Sequence, residues 1–140
     1  GVPIGEARPC LDLGARGLKL HPRAQKFLVN DERLAPVFAL AAERRVPILI
    51  HAGRGLPPIA EALERLVDAH EGTQLILAHA GIADLANLAY RFSGKRGVFF
   101  DSSVWSAIDL LGLLRLVGAA CRPQRRGDGA RQAQHRGLDA

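Results

Sequence analysis

The sequence has no methionine, even at its first position, and only two cysteines in 140 residues. The missing methionine sets the expectation that the chain starts downstream of a translation start. Cys10 and Cys121 lie far apart with no C-x-x-C, which excludes a disulfide framework. No apolar run approaches the ~20 residues that cross a bilayer. The greasiest stretch, Ile108 to Ala120, is broken by Asp109 and Arg115, so no membrane partner is expected. No signal peptide opens the chain, and a reducing cytoplasmic location is the default expectation. Neither G-x-x-x-x-G-K-[ST] nor G-x-G-x-x-G occurs, which argues against a phosphate- or nucleotide-binding domain. G-x-S-x-G is absent too, which argues against a serine hydrolase.

What is present suits one ordinary folded domain. Hydrophobic residues make up 48% and charged residues 24%. That balance excludes wholesale disorder, a collagen-like repeat and a coiled coil. A chain of this length can bury about 70% of its unfolded surface around one core. The net charge of +5 is uneven: residues 1–118 carry 14 Lys and Arg against 12 Asp and Glu, and residues 119–140 carry 5 against 2. The folded part is therefore near neutral, and the basic character belongs to the tail.

From Gly17 to Gly118 short apolar runs alternate with amphipathic stretches. Gly17 to Pro22, Val46 to His51, Gln74 to His79 and Gly97 to Asp101 read as strands, each bounded by Gly or Pro. Their near-continuous apolarity points to strands covered on both faces and hence to a parallel sheet. Helices are expected from Asp31 to about Arg45, Pro58 to His70, Asp84 to Phe92 and Ser106 to Val117. Asp31 and Asp84 stand as caps, and Pro57 and Pro58 mark an entrance. Residues 1–16 hold a poor helix at best, because Pro9 and Gly14 interrupt it. Strand ends recur at intervals of 30, 28 and 22 residues, from His21 to His51 to His79 to Asp101. A (β/α)8 barrel of ~250 residues averages about 31 per unit. The fold class expected is α/β: a partial (β/α)8 TIM barrel of about four consecutive βα units over residues 1–118. The tail over 119–140, rich in Arg, Gln and Gly, is expected to be disordered. Its five arginines without an aromatic make a weak nucleic-acid arm, so nucleic acid is not an expected partner.

Three of the four strands end in histidine and the fourth in aspartate, and two repeat the text Ile50-His51-Ala52-Gly53 and Ala78-His79-Ala80-Gly81. Parallel strands release their C-termini on one side, where α/β active sites sit. Neighbouring strands are about 4.8 Å apart, so side chains at adjacent ends can converge on one ion or water. A lone histidine at a strand end is usually a hydrogen-bonded structural residue. Three such ends in succession favour a shared polar site. Imidazole nitrogen and carboxylate oxygen suit Zn2+ or a similar divalent ion.

Gly14-Ala-Arg-Gly-Leu-Lys-Leu-His-Pro22, Pro47-Ile-Leu-Ile-His-Ala-Gly53, Leu75-Ile-Leu-Ala-His-Ala-Gly81 and Val98-Phe-Phe-Asp-Ser-Ser103, in that order, resemble the amidohydrolase-related metal-dependent hydrolases. These are TIM-barrel hydrolases, hydratases and nonoxidative decarboxylases. The resemblance covers roughly residues 5–118 and aligns the four runs with barrel strands four to seven. It implies a divalent metal cofactor, most naturally Zn2+, with His51 as a metal ligand. It implies a catalytic role for His79, whose counterpart positions or deprotonates the metal-bound water in mononuclear members and binds metal itself in binuclear ones. Asp101 joins it as an acceptor at the edge of the site, and His21 falls where a substrate contact is expected. Lys19 shares a strand face with His21, but packing or an ion pair suits it better than a carbamylated bridge. His70, Arg54 and Trp105 read as a helix C-terminal cation, a solvated loop charge and a loop or interface aromatic.

The implied substrate is a small molecule carrying a carboxylate, ester, lactone or amide. The chain also departs from the family. No first-strand H-x-H or D-x-H pair is expected anywhere in the chain, and the eighth-strand Gly-Ser-Asp does not follow Gly118. The expectation is an interior fragment of a barrel enzyme with an unrelated C-terminal extension, inactive alone. Two open sheet edges make a homo-oligomer an expected state. The alternative is a non-catalytic α/β interaction module with a basic tail.

Overall fold

The computed structural model describes residues 4–103 and 105–120. A helix α1 (Ile4–Asp12) leads into strand β1 (Leu18–Leu20) and a short helix α2 (Pro22–Gln25). A 3-10 turn (Glu32–Leu34) runs into α3 (Ala35–Arg44), followed by β2 (Pro47–His51) and α4 (Ala60–Ala69). Then come β3 (Gln74–Ala78), a 3-10 turn at His79–Gly81, α5 (Leu85–Phe92), β4 (Val98–Phe100) and α6 (Ala107–Ala120). The four strands form one parallel sheet in sequential order, β1-β2-β3-β4. Sequential parallel strands alternating with helices are the arrangement of half a (β/α)8 barrel. The basic segment expected to be disordered lies, beyond Ala120, outside the described residues.

The sheet is two-sided in character. Ile48, Ile50, Leu75 and Leu77 are fully buried on the helix side with Phe38, Leu63, Leu88 and Phe92. The other side carries the cross-strand row Lys19, Leu49, Ile76 and Phe99, adjacent in register. Here Leu49 and Ile76 are half-buried, while Lys19 and Phe99 are exposed. Coverage of both faces, expected from the apolar runs, is thus not found among the described residues. The runs read as two-sided because Leu49, Ile76 and Phe99 are apolar although they sit on the open side.

The helix edges follow local chemistry. Asp31 accepts from the Arg33 backbone N–H at 3.0 Å and pairs with the Arg33 guanidinium. That pairing holds the Asp31 carboxyl down at about 2. The stripe Leu34, Val37, Phe38 and Ala41 is buried as the 3.6-residue period requires. Pro9 lies inside α1, which forms despite it. Asp12–Arg44 and Arg8–Glu43 pairs join α1 to α3, and Glu64–Arg91 and Asp68–Lys95 pairs join α4 to α5 and the turn after it. At α6, Ser106 and Asp109 cap reciprocally: Ser106 N–H donates to Asp109 Oδ2 and Asp109 N–H to Ser106 Oγ.

Asp84 departs from the expected pattern. It stands at the N-cap of α5, yet its carboxylate does not cap that helix. Oδ2 instead accepts from the Ile59 and Ala60 backbone N–H groups, both at 3.0 Å, at the start of α4. Oδ1 accepts from the Asn87 amide at 2.7 Å. The unsatisfied donors that begin α4 are met from the next βα unit.

Candidate active site at the strand C-termini

His51 ends β2, and His21, His79 and Asp101 follow directly on β1, β3 and β4. The His21 and His51 rings stack, with centroids 4.0 Å apart and planes 10° from parallel. His79 meets His51 edge-on, at 5.0 Å and 75°. All three predicted histidines therefore share one rim.

Simple alternation does not explain how His79 gets there. In register, His51 faces Ala78, and Leu49 faces Ile76. Continuing β3 by its two-residue period would put His79 on the Leu77 side, which is buried under the helices. The backbone instead turns left-handed at His79 (φ 57) and Ala80 (φ 49), then at Gly81 (φ 70). Left-handed conformations in L-residues cost of order 1–3 kcal/mol each and persist only where neighbours enforce them. Here Ala80 N–H donates to the Asp101 carbonyl at 2.6 Å, and the Trp105 indole donates to the His79 carbonyl at 2.9 Å. The turn carries the His79 ring back over the His51 side. Trp105, read from sequence as a loop or interface aromatic, is thus part of the frame that holds His79.

Each ring has its own hydrogen-bond state. His21 Nδ1 accepts from the Ala24 N–H at 3.2 Å, capping α2. A neutral His21 therefore carries its proton on Nε2 and presents a donor. The His51 ring makes no hydrogen bond among the described residues. Burial, then the nearby His21, His79, Lys19 and Arg23 charges, push its pKa below the usual imidazole value, so His51 is neutral at pH 7. A Cβ on Gly53 would lie 2.7 Å from His51 Nε2 and 3.3 Å from His79 Cδ2. Only glycine leaves both ring edges uncovered at that point. His79 Nδ1 lies 3.3 Å from the Ser103 hydroxyl, which is 2.5 Å from Asp101 Oδ2. Asp101 therefore reaches Nδ1 of the His79 ring through Ser103, and its carboxyl is held below the ordinary range mainly by the Ser103 hydroxyl, with the Ser103 and His79 backbone N–H groups adding to it. Nothing in the sequence marks this link except the fixed spacing of Ser103 from Asp101.

A divalent ion can be tested against these donors. Neutral His51, with an unengaged Nε2 over the gap at Gly53, has the chemistry of a ligand. His21 does not fit, because Nδ1 is occupied and its plane lies parallel to His51, so their lone pairs do not converge. Among the described residues no group of three or more His, Cys, Asp or Glu is placed to hold a metal. The residues present thus fit part of a shell. One Asp-x-His text does occur, Asp68-Ala69-His70, but it closes α4 at the end leading into β3. Asp68 pairs with Lys95 there, and His70 Nδ1 bonds the Leu66 carbonyl at 2.8 Å.

Sequential parallel strands alternating with helices place the chain in the (β/α)-barrel class, whose active sites sit at the strand C-termini. A family model described as amidohydrolase matches residues 4–137, and the chain belongs to that family. The matched span runs on through most of the Arg- and Gln-rich segment. No curated protein and no solved structure matches the chain. Among the described residues, no helix is long and apolar enough to cross a membrane.

Proposed function

We propose that the chain carries the catalytic rim of a metal-dependent hydrolase or lyase that works through activated water. Membership of the amidohydrolase family supports the reaction class. The observation that carries the site is the gathering of His21, His51 and His79 within ring-contact distance on one rim. His51 holds the divalent ion, for which Zn2+ is the natural choice. When bound, such an ion supplies Lewis acidity that lowers the pKa of water toward 7 and polarises a carbonyl.

The chain's own residues do the rest. His79 accepts a proton at Nε2 as general base, since its Nδ1 is engaged by Ser103. Asp101, ionised, stabilises the imidazolium formed through the intervening hydroxyl. His21 offers its Nε2–H to a substrate oxygen, which suits a carboxylate, ester, lactone or amide. Hydrolysis, hydration and decarboxylation all draw on these roles.

Zinc titration of the purified chain tests the reading. Weak binding that His51→Ala abolishes and Lys19→Ala leaves intact is the expected result. Binding that is indifferent to His51→Ala overturns it. The lack of a three-donor group among the described residues also predicts no turnover from this chain alone on carboxylate, ester, lactone or amide substrates. That same lack favours one rival, a non-catalytic module. It predicts partner binding that survives His51→Ala.

A further inference from the structure

We propose that Ser103 is a positioning residue that fixes the tautomer of His79. Its single hydroxyl hydrogen goes to Asp101, so its oxygen accepts from Nδ1–H of His79 and leaves Nε2 bare. The inference rests on the reading of His79 as a base, which requires a nitrogen able to take a proton.

Hydrogen-bond arithmetic carries the argument. A serine hydroxyl has one hydrogen to give and lone pairs to accept with, and an ionised carboxylate only accepts. Ser103 Oγ lies 2.5 Å from Asp101 Oδ2, and Ser103 N–H also donates to Asp101 Oδ1 at 3.2 Å. The hydroxyl hydrogen is therefore committed to the carboxylate. The remaining contact, 3.3 Å from Oγ to His79 Nδ1, is then a hydrogen bond only if the ring nitrogen donates. The opposite edge of the ring agrees: His79 Cδ2, the atom bonded to Nε2, lies on the side of Gly53 and His51. Backbone bonds fix the two partners against each other. Asp101 N–H donates to the Leu77 carbonyl at 3.0 Å, and Ala80 N–H donates to the Asp101 carbonyl at 2.6 Å. The chain of groups runs carboxylate, hydroxyl, imidazole, with the hydroxyl inserted between the usual pair.

The test is a long-range 1H–15N spectrum of the full 140-residue chain labelled at histidine, recorded where the imidazoles are neutral, with His79 assigned through His79→Gln. Wild-type His79 is expected as the Nδ1–H tautomer. Ser103→Ala should release it to a mixture, and Ser103→Thr should restore the wild-type pattern. Asp101→Asn should invert the chain: the amide donates to Ser103, freeing the hydroxyl hydrogen for Nδ1 and moving His79 to the Nε2–H form. A wild-type ring already in the Nε2–H form overturns the proposal, and so does a Ser103→Ala spectrum matching wild type. The wild-type spectrum decides even if a variant fails to fold. Loss of His51-dependent zinc binding with the tautomer as expected sinks the proposed function and leaves this inference standing.

Discussion

At the residue scale the rim depends on space as much as on donors. Gly53 has no side chain, and a Cβ there would press within 2.7 Å of the His51 ring. Gly53→Ala is expected to displace that ring and weaken zinc binding, with a stability cost at the low end of the roughly 1–3 kcal/mol of an overpacked site, because a rim side chain can swing away. Calorimetric titration beside urea denaturation separates the two effects. His51 also gives a pH signature. Its folded-state pKa is depressed by burial and by neighbouring positive charge, so below the ordinary imidazole value the unfolded chain binds the extra proton. Stability should fall as pH drops through about 6.5, the ordinary imidazole value, toward the lower folded-state value. His51→Gln should flatten that part of the urea-midpoint profile. An unchanged slope in the variant would count against a neutral, crowded His51.

At the scale of elements, the periodicities in the sequence carry most of the fold. All four strand runs and the helices after them appear where apolar spacing puts them, because burial on one side of each element is a local pattern. Coverage of the open sheet face is not legible in the sequence, since an apolar residue reads alike whether or not something lies over it. The site is legible in part. His21, His51 and His79 stand out as strand-terminal imidazoles, but the left-handed exit from β3 is set by Asp101 and Trp105, more than 20 residues on. Asp84 misleads for a similar reason: its sequence position marks α5, while its carboxylate serves α4. Asp84→Ala should therefore cost about 1–2 kcal/mol. It should also speed hydrogen exchange at the Ile59 and Ala60 amides, with the first turn of α5 less affected. Protection unchanged at those two amides would overturn the cross-helix role.

At the scale of the whole molecule, the sheet has two edges among the described residues, β1 and β4, and α6 shows Ile108, Leu111 and Leu114 mostly exposed. Unpaired strand edges beside apolar surface favour association. The purified chain is expected to elute as an oligomer whose size rises with concentration. Leu111→Lys with Leu114→Lys should shift it toward monomer in analytical ultracentrifugation. A monodisperse wild-type monomer across the micromolar range would contradict this.

The bend after β3 gives the twin His-Ala-Gly texts different mechanics. The first copy delivers its imidazole by strand parity, while the second delivers it by a reversed torsion, so identical letters reach the same rim by separate routes. A β-branched residue tolerates such a torsion worst. Ala80 is also fully buried, so Ala80→Val should withdraw the second imidazole from the rim and cost about 1–3 kcal/mol, read as a lower urea midpoint. The placement of that imidazole thus hangs on one residue whose own side chain is a lone methyl group.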